Sequence, residues 1–153
     1  MSNKAENRKT RVLFVCVHNT ARSQMAEALL NHLAADRFEA ESAGLEPAEM
    51  NPLAVEVMRE IGIDISMNQA KSVFDLYKQD RLYRYVVPVC DEAAERCPIF
   101  PGFATIVRWS FENPASFTGS YEERLAKTRS VRDQIKKKVE EFIAEHSREG
   151  DKR

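Results

Sequence analysis

Val12-Leu-Phe-Val-Cys16-Val-His-Asn-Thr-Ala-Arg22-Ser23-Gln-Met-Ala-Glu27 is the stretch that decides how this chain folds. It begins as a short apolar run, the pattern of a buried β-strand. It passes through a polar turn, His18-Asn19-Thr20, into a helical pattern with Met25, Leu29 and Leu33 on one face. A strand that empties into a helix through a tight loop gathers backbone N–H groups, and the helix's positive end, at one point. Such a point suits a tetrahedral oxyanion. Cys16 closes the strand and Arg22 opens the helix, so a nucleophile and a cation flank the same hole.

The residue types fit that chemistry. A thiol of ordinary pKa, about 8.5, is only a few per cent thiolate at neutral pH, and a helix N-terminus beside a cation lowers such thiols to roughly 3.5–7.5. The planar fork of Arg22 can hold two oxygens of a phosphate-like group at once. Val17, His18, Asn19, Thr20 and Ala21 complete the loop around the anion, and Ser23 can donate a hydrogen bond to the thiolate. Asn19 tolerates left-handed backbone, which a loop without glycine needs. Read singly, Cys16 is an inert buried strand cysteine and Arg22 a surface residue. Read together, as Cys-x5-Arg-Ser between strand and helix, they make an oxyanion hole.

Cys16 to Glu27, C-V-H-N-T-A-R-S-Q-M-A-E, resembles the phosphate loop of the low-molecular-weight protein tyrosine phosphatase fold. The R-S-Q-M-A-E continuation is more similar to its thioredoxin-coupled arsenate-reductase branch. The resemblance runs from about Arg11 to Ile143.

At 153 residues the chain is long enough for a self-sufficient core, and one domain over residues 11–147 is expected. Residues 1–10 read as a flexible arm and 148–153 as a C-terminal tail. The formal net charge of −1 gives no long-range field for nucleic acid or an anionic membrane. No apolar run approaches the ~20 residues that span a bilayer, and the N-terminus lacks a signal-peptide core. Three cysteines argue against a secreted disulfide framework. A cytoplasmic monomer is expected.

Along the chain, Phe38–Ala43 reads as a second strand. Asn51-Pro52 caps a helix running to about Ile61, with Val55, Met58 and Ile61 as its apolar face, and Gly62 ends it. Ser72 caps a short helix carrying Val73, Leu76 and Tyr77. Nothing between Leu45 and Asp80 shows chemistry of its own. Tyr85–Cys90 is a third strand, interrupted near Pro88, and Phe103–Trp109 a fourth. Ser120-Tyr-Glu-Glu123 is a capping box that opens the last helix, whose Val131, Ile135, Val139 and Phe142 face the sheet. Strands alternating with helices predict an α/β fold with a four-stranded parallel sheet and helices on both faces.

Cys90 and Cys97 bracket six residues, which is neither zinc spacing nor a C-x-x-C redox motif. Two unrelated buried cysteines are one reading. The other follows from Cys90 ending a strand. Active loops of a parallel sheet gather at the carboxyl ends of its strands, so Cys90 can face Cys16 across a small movement. The resemblance implies a relay. Cys16 attacks arsenate, Cys90 attacks Cys16 as arsenite departs, and Cys97 moves the disulfide to Cys90–Cys97 for thioredoxin to reduce. Phosphate or sulfate would mimic the substrate, and no bound cofactor is implied.

One position departs from the family's pattern. The acidic residue expected before proline in the loop after the fourth strand is here Asn113, in Glu112-Asn113-Pro114. An amide cannot deliver a proton, a role worth 10²–10⁴-fold. Glu112 is the substitute acid or a plain loop carboxylate. Asn19 and Ser42 match residues that help hold a structural cation in some relatives. The other ligand positions, around Asn68 to Ser72, do not match, so no metal is expected. His18 reads as a variable surface position, and His32 and His146 as solvated helix residues. Two further readings compete: a phosphatase, which needs no second cysteine pair, and a non-catalytic oxyanion-binding or thiol redox-sensing module.

Overall fold

The computed structural model describes residues 9–151; residues 1–8 of the expected arm lie outside the described residues. The stretch quoted above becomes β1 (Thr10–Cys16) and α1 (Arg22–Leu33). After them come β2 (Phe38–Gly44), α2 (Pro52–Arg59), α3 (Val73–Lys78), β3 (Tyr85–Pro88), α4 (Asp91–Arg96), β4 (Thr105–Ile106) and α5 (Tyr121–Asp151). The helix α5 carries on into the stretch read as a tail. The four strands form one parallel sheet in the order β2-β1-β3-β4.

Alternation along β1 sorts the core into two layers. Val12, Phe14 and Cys16 pack with α1, α2 and α5; Leu13 and Val15 pack with α3 and α4. Each fully buried aliphatic side chain contributes about 1.5–3 kcal/mol by leaving water. Val131, Ile135, Val139 and Phe142 are all buried as their spacing predicts. Three local caps also form as written in the sequence. Asn51 Oδ1 accepts from Leu53 N–H at 2.8 Å, and Ser72 Oγ from Phe74 N–H at 3.2 Å. Ser120 and Glu123 satisfy each other's backbone N–H, both at 3.1 Å. Gly62 follows α2 at φ +81°, the left-handed conformation that halts a helix.

Several expectations are corrected. Leu33 is 39 % exposed, and Ala26 and Leu30 take its place in the core, because α1 presents a broader stripe than a strict heptad pair. On α2 the buried residues are Leu53, Ala54, Val57 and Met58 rather than the Val55-Met58-Ile61 row. β4 is two residues, not seven. Beyond it the chain still runs beside β3, with Val107, Trp109 and Phe111 N–H donating to Val86, Pro88 and Val89 carbonyls. β3 ends at Pro88, where the sequence placed its interruption, although Val89 N–H still donates to the Val15 carbonyl. His146 is half-buried rather than fully solvated: its ring lies 4.2 Å from that of Phe142 and 4.5 Å from that of Tyr85. Among the described residues no helix is long and apolar enough to cross a membrane.

Candidate active site

The turn from β1 to α1 is built by turning its carbonyls outward. The Cys16, Val17, His18 and Thr20 carbonyls accept from the N–H groups of Leu45, Glu46, Ala48 and Asn51, all in the connection from β2 to α2. The Asn19 carbonyl accepts from Gln24 Nε2 at 3.1 Å, and that of Ala21 from Met25 N–H at 2.8 Å. With six successive carbonyls engaged by these donors, none is left to repel an anion at the turn. Asn19 makes the bend at φ +56° while fully buried. Its own N–H donates to Cys16 Sγ at 3.1 Å.

Asn19 Nδ2 spends its two hydrogens on Ser23 Oγ (2.8 Å) and Ser42 Oγ (2.9 Å). Ser23 Oγ keeps its own proton and lies 2.9 Å from Cys16 Sγ, so it can donate to a thiolate there. Ser42 donates to Glu27 Oε1 at 2.6 Å. The amide of Asn19 is locked from its other end, because Oδ1 accepts from Lys71 N–H at 2.8 Å and from Gln24 Nε2 at 3.2 Å. Burial raises the pKa of the Glu27 carboxyl, while Ser42 and the Lys71 ammonium 3.9 Å away pull it back down.

Arg22 is 7 % exposed, and its Nη1 donates to the Phe111 carbonyl at 3.1 Å. That bond draws the loop after β4 over the site. The loop holds Glu112, which is exposed, and Asn113, whose side chain caps a 3₁₀ turn by accepting from Ala115 N–H at 3.0 Å. A cleft of about 560 Å³ opens beside the turn, with His18 and Thr20 on one wall and Pro114, Ala115 and Phe117 on another.

The second pair of thiols lies at the ends of α4: Cys90 is its N-cap and Cys97 its C-cap. The β1–β3 register pairs Val15 with Pro88, and Val89 N–H donates to the Val15 carbonyl at 2.9 Å. Cys90 follows at once, at the carboxyl edge of the sheet, in the same core cluster that Val17 packs against. The side chains diverge, however. Cys90 packs in the α3–α4 layer, whereas Cys16 faces the α1–α2–α5 layer. Burial pushes the Cys97 thiol up to about 11, and it donates to the Pro98 carbonyl at 3.5 Å. All three cysteines are free thiols. Among the described residues no three His, Cys, Asp or Glu side chains gather as a metal site.

The segment from Leu45 to Asp80, which shows no chemistry in the sequence, turns out to brace the loop. Glu46 and Lys71 do so through backbone N–H groups, Gln69 accepts from Gln24 Nε2 at 3.2 Å, and Asn68 Nδ2 donates to Gln24 Oε1 at 3.1 Å. Gly44 is a further determinant. A Cβ there would lie 2.8 Å from Asn19 N and Val17 O. A glycine ending a strand was the one available signal.

A sequence profile of the low molecular weight phosphotyrosine protein phosphatase family matches residues 11–152. The chain is 39 % identical over 133 residues to an arsenate reductase of Shouchella clausii, covering 86 % of this chain and 93 % of that one. A solved arsenate reductase in its phosphate-binding state superposes with a TM-score of 0.71 at 31 % identity, covering 89 % of this chain and 98 % of that one. The thioredoxin-dependent arsenate reductase of Corynebacterium glutamicum gives 0.61 at 30 % identity, covering 86 % of this chain and 62 % of that one. The turn from Cys16 to Arg22 lies within that match, and the chain belongs to the low molecular weight phosphotyrosine protein phosphatase family.

Proposed function

We propose that this protein reduces arsenate to arsenite with its own three thiols and is restored by thioredoxin. Cys16 thiolate attacks arsenic(V) held by the loop N–H groups and Arg22; a sulfur–arsenic bond forms and an arsenic–oxygen bond breaks. Cys90 thiolate then attacks Cys16 Sγ. The sulfur–arsenic pair stays on arsenic, which leaves as arsenite, and a Cys16–Cys90 disulfide remains. Cys97 thiolate attacks Cys90, Cys16 departs, and the oxidation rests in Cys90–Cys97 until a dithiol of thioredoxin takes it up.

The observation that carries this reading is the position of Cys90, at the carboxyl edge of the sheet, with Cys97 one short helix away. A phosphatase would use Cys16 and Arg22 but would leave Cys90 and Cys97 idle. It would also want a carboxylic acid at 113. Because the Cys90 thiol starts in the opposite layer from Cys16, the relay requires α4 to give way so that residue 90 swings around the sheet edge. A helix of six residues is marginal by itself and yields cheaply. We place this activity in a reducing cytoplasm, in a monomer, with residues 11–147 as the working unit.

Cys97→Ser with arsenate is the test. The expected result is one arsenite per protein, followed by arrest at a Cys16–Cys90 disulfide identified by peptide mass. Continued turnover with thioredoxin would overturn the relay, and steady phosphate release from an aryl phosphate without thiol loss would favour the phosphatase.

A further inference from the structure

We propose that His18 is the proton donor of the first chemical step, in the role that Asn113 cannot fill; this rests on the arsenate reading above. His18 Nδ1 lies 2.8 Å from the carbonyl oxygen of Glu46. A carbonyl only accepts, so Nδ1 carries hydrogen and the ring is held in one orientation. Nε2 is then the nitrogen at which the ring gains and loses a proton, and among the described residues it has no hydrogen-bond partner. His18 is half-buried within the oxyanion loop itself. It lines the cleft whose far wall is Pro114 and Ala115, the residues that follow Asn113. The imidazole thus lines the same cleft as the loop that carries Asn113.

The other candidates are poorly placed. The Asn113 amide is committed to the N–H of Ala115. Glu112 is exposed, and its neighbour Phe111 is fixed through its carbonyl to Arg22. The step balances without any other reagent. Cys16 thiolate, hydrogen arsenate dianion and imidazolium become the Cys16–arsenic(V) adduct, water and neutral imidazole. The sulfur–arsenic bond forms, the arsenic–oxygen bond breaks with its pair on oxygen, and the Nε2 proton goes to that oxygen. Arsenic is not reduced until Cys90 acts. The charged and titratable groups that share its cleft are Glu49 from the β2–α2 connection and Tyr121 and Arg124 of α5, and its Nδ1 partner is the Glu46 carbonyl. Glu46 is drawn off toward Arg96, 3.4 Å away.

The experiment measures single-turnover arsenite release in Cys97→Ser and in the same chain carrying His18→Gln or His18→Ala, with thioredoxin absent. The rate of the parent should fall on the alkaline side as the donor deprotonates. His18→Gln should lower the rate about 100-fold and abolish that alkaline limb, while phosphate binding persists as proof of an intact loop. Added imidazole should restore His18→Ala by about tenfold, and Asn113→Asp should restore His18→Gln. An unchanged rate, or a loss that keeps the parent's pH profile and ignores imidazole, overturns the proposal. Absence of arsenite from the parent overturns the arsenate reading and this inference with it, whereas a normal parent beside an unaffected His18→Gln removes this inference alone.

Discussion

Asn19 and Ser23 are joined by a 2.8 Å hydrogen bond in which the amide donates, which leaves the Ser23 hydroxyl proton available to a thiolate at Cys16, 2.9 Å away. On the relay proposed above, this hydroxyl stabilises the attacking and later the departing sulfur anion. A charge-assisted bond of this kind is worth about 1.5–3 kcal/mol. Ser23→Ala should therefore slow the arsenite burst by roughly 10–100-fold and, because it leaves one hydrogen of the buried Asn19 amide unpaired, lower stability by about 1–3 kcal/mol. Stopped-flow single turnovers and a melting curve check both halves.

Gly44→Ala should disable the loop without unfolding the sheet. The added methyl would meet backbone atoms of Val17, His18 and Asn19 at 2.8–2.9 Å, and backbone cannot rotate aside as a side chain can. Phosphate affinity, followed by calorimetry, should drop by at least about tenfold, the equivalent of about 1.4 kcal/mol of misplaced N–H groups. Circular dichroism should stay native. Undiminished affinity would show that the loop does not depend on close approach at this position.

Asn113→Asp should raise the rate of the first step. Aspartate can keep the cap on the N–H of Ala115 with one oxygen and offer the other as an acid over the loop. The gain should reach about tenfold at pH 6 and shrink as the new acid ionises at higher pH. A flat response across pH would mean that residue 113 does not address the leaving oxygen.

Opening α4 should govern the formation of the Cys16–Cys90 disulfide. Ala94→Gly costs a helix about 1 kcal/mol, so the attack of Cys90 on Cys16 should quicken by about fivefold. Burial pushes the Cys97 thiol up to about 11 while α4 is folded. In the unaltered chain the later conversion of Cys16–Cys90 to Cys90–Cys97 should accelerate as pH rises from 7 to 9, as more Cys97 ionises. Rapid acid quench followed by thiol alkylation reads the partition between the two disulfides.

The ion cluster that ties α2 to α5 sets an acid limit. Hydrogen bonds from Arg129, and then from Arg132, hold the Glu60 carboxyl at about 2, below its ordinary 4.5. A depressed carboxyl adds stability above its unfolded pKa and loses it as pH falls through the folded one. This part should be complete above about pH 4.5 and gone near pH 2. Glu60→Gln should flatten the stability curve in that window and cost less than about 1 kcal/mol at pH 7, since the pair meets water. Urea denaturation between pH 2 and 7 measures it.

The legible features were short-range ones. The Cys16-x5-Arg22 turn, the caps at Asn51 and Ser72, the capping box at Ser120 and the apolar row of α5 all depend on residues within a few turns of one another, and each formed as read. The family likeness rests on the same local run. Less legible was anything set by which face meets which neighbour: Leu33 turned outward, β4 shrank to two residues, and His146 found two aromatic rings.

By itself, then, the sequence determined a strand–loop–helix oxyanion hole with a cysteine at its base, because backbone geometry and capping are encoded over five to ten residues. Only the tertiary structure decided what holds that loop open. Lys71 meets Asn19 across 52 positions and Phe111 meets Arg22 across 89, and no local pattern specifies such contacts. It also decided that the thiols of Cys16 and Cys90 start in opposite layers of one sheet, since the side a residue faces depends on where its strand ends and the next helix begins.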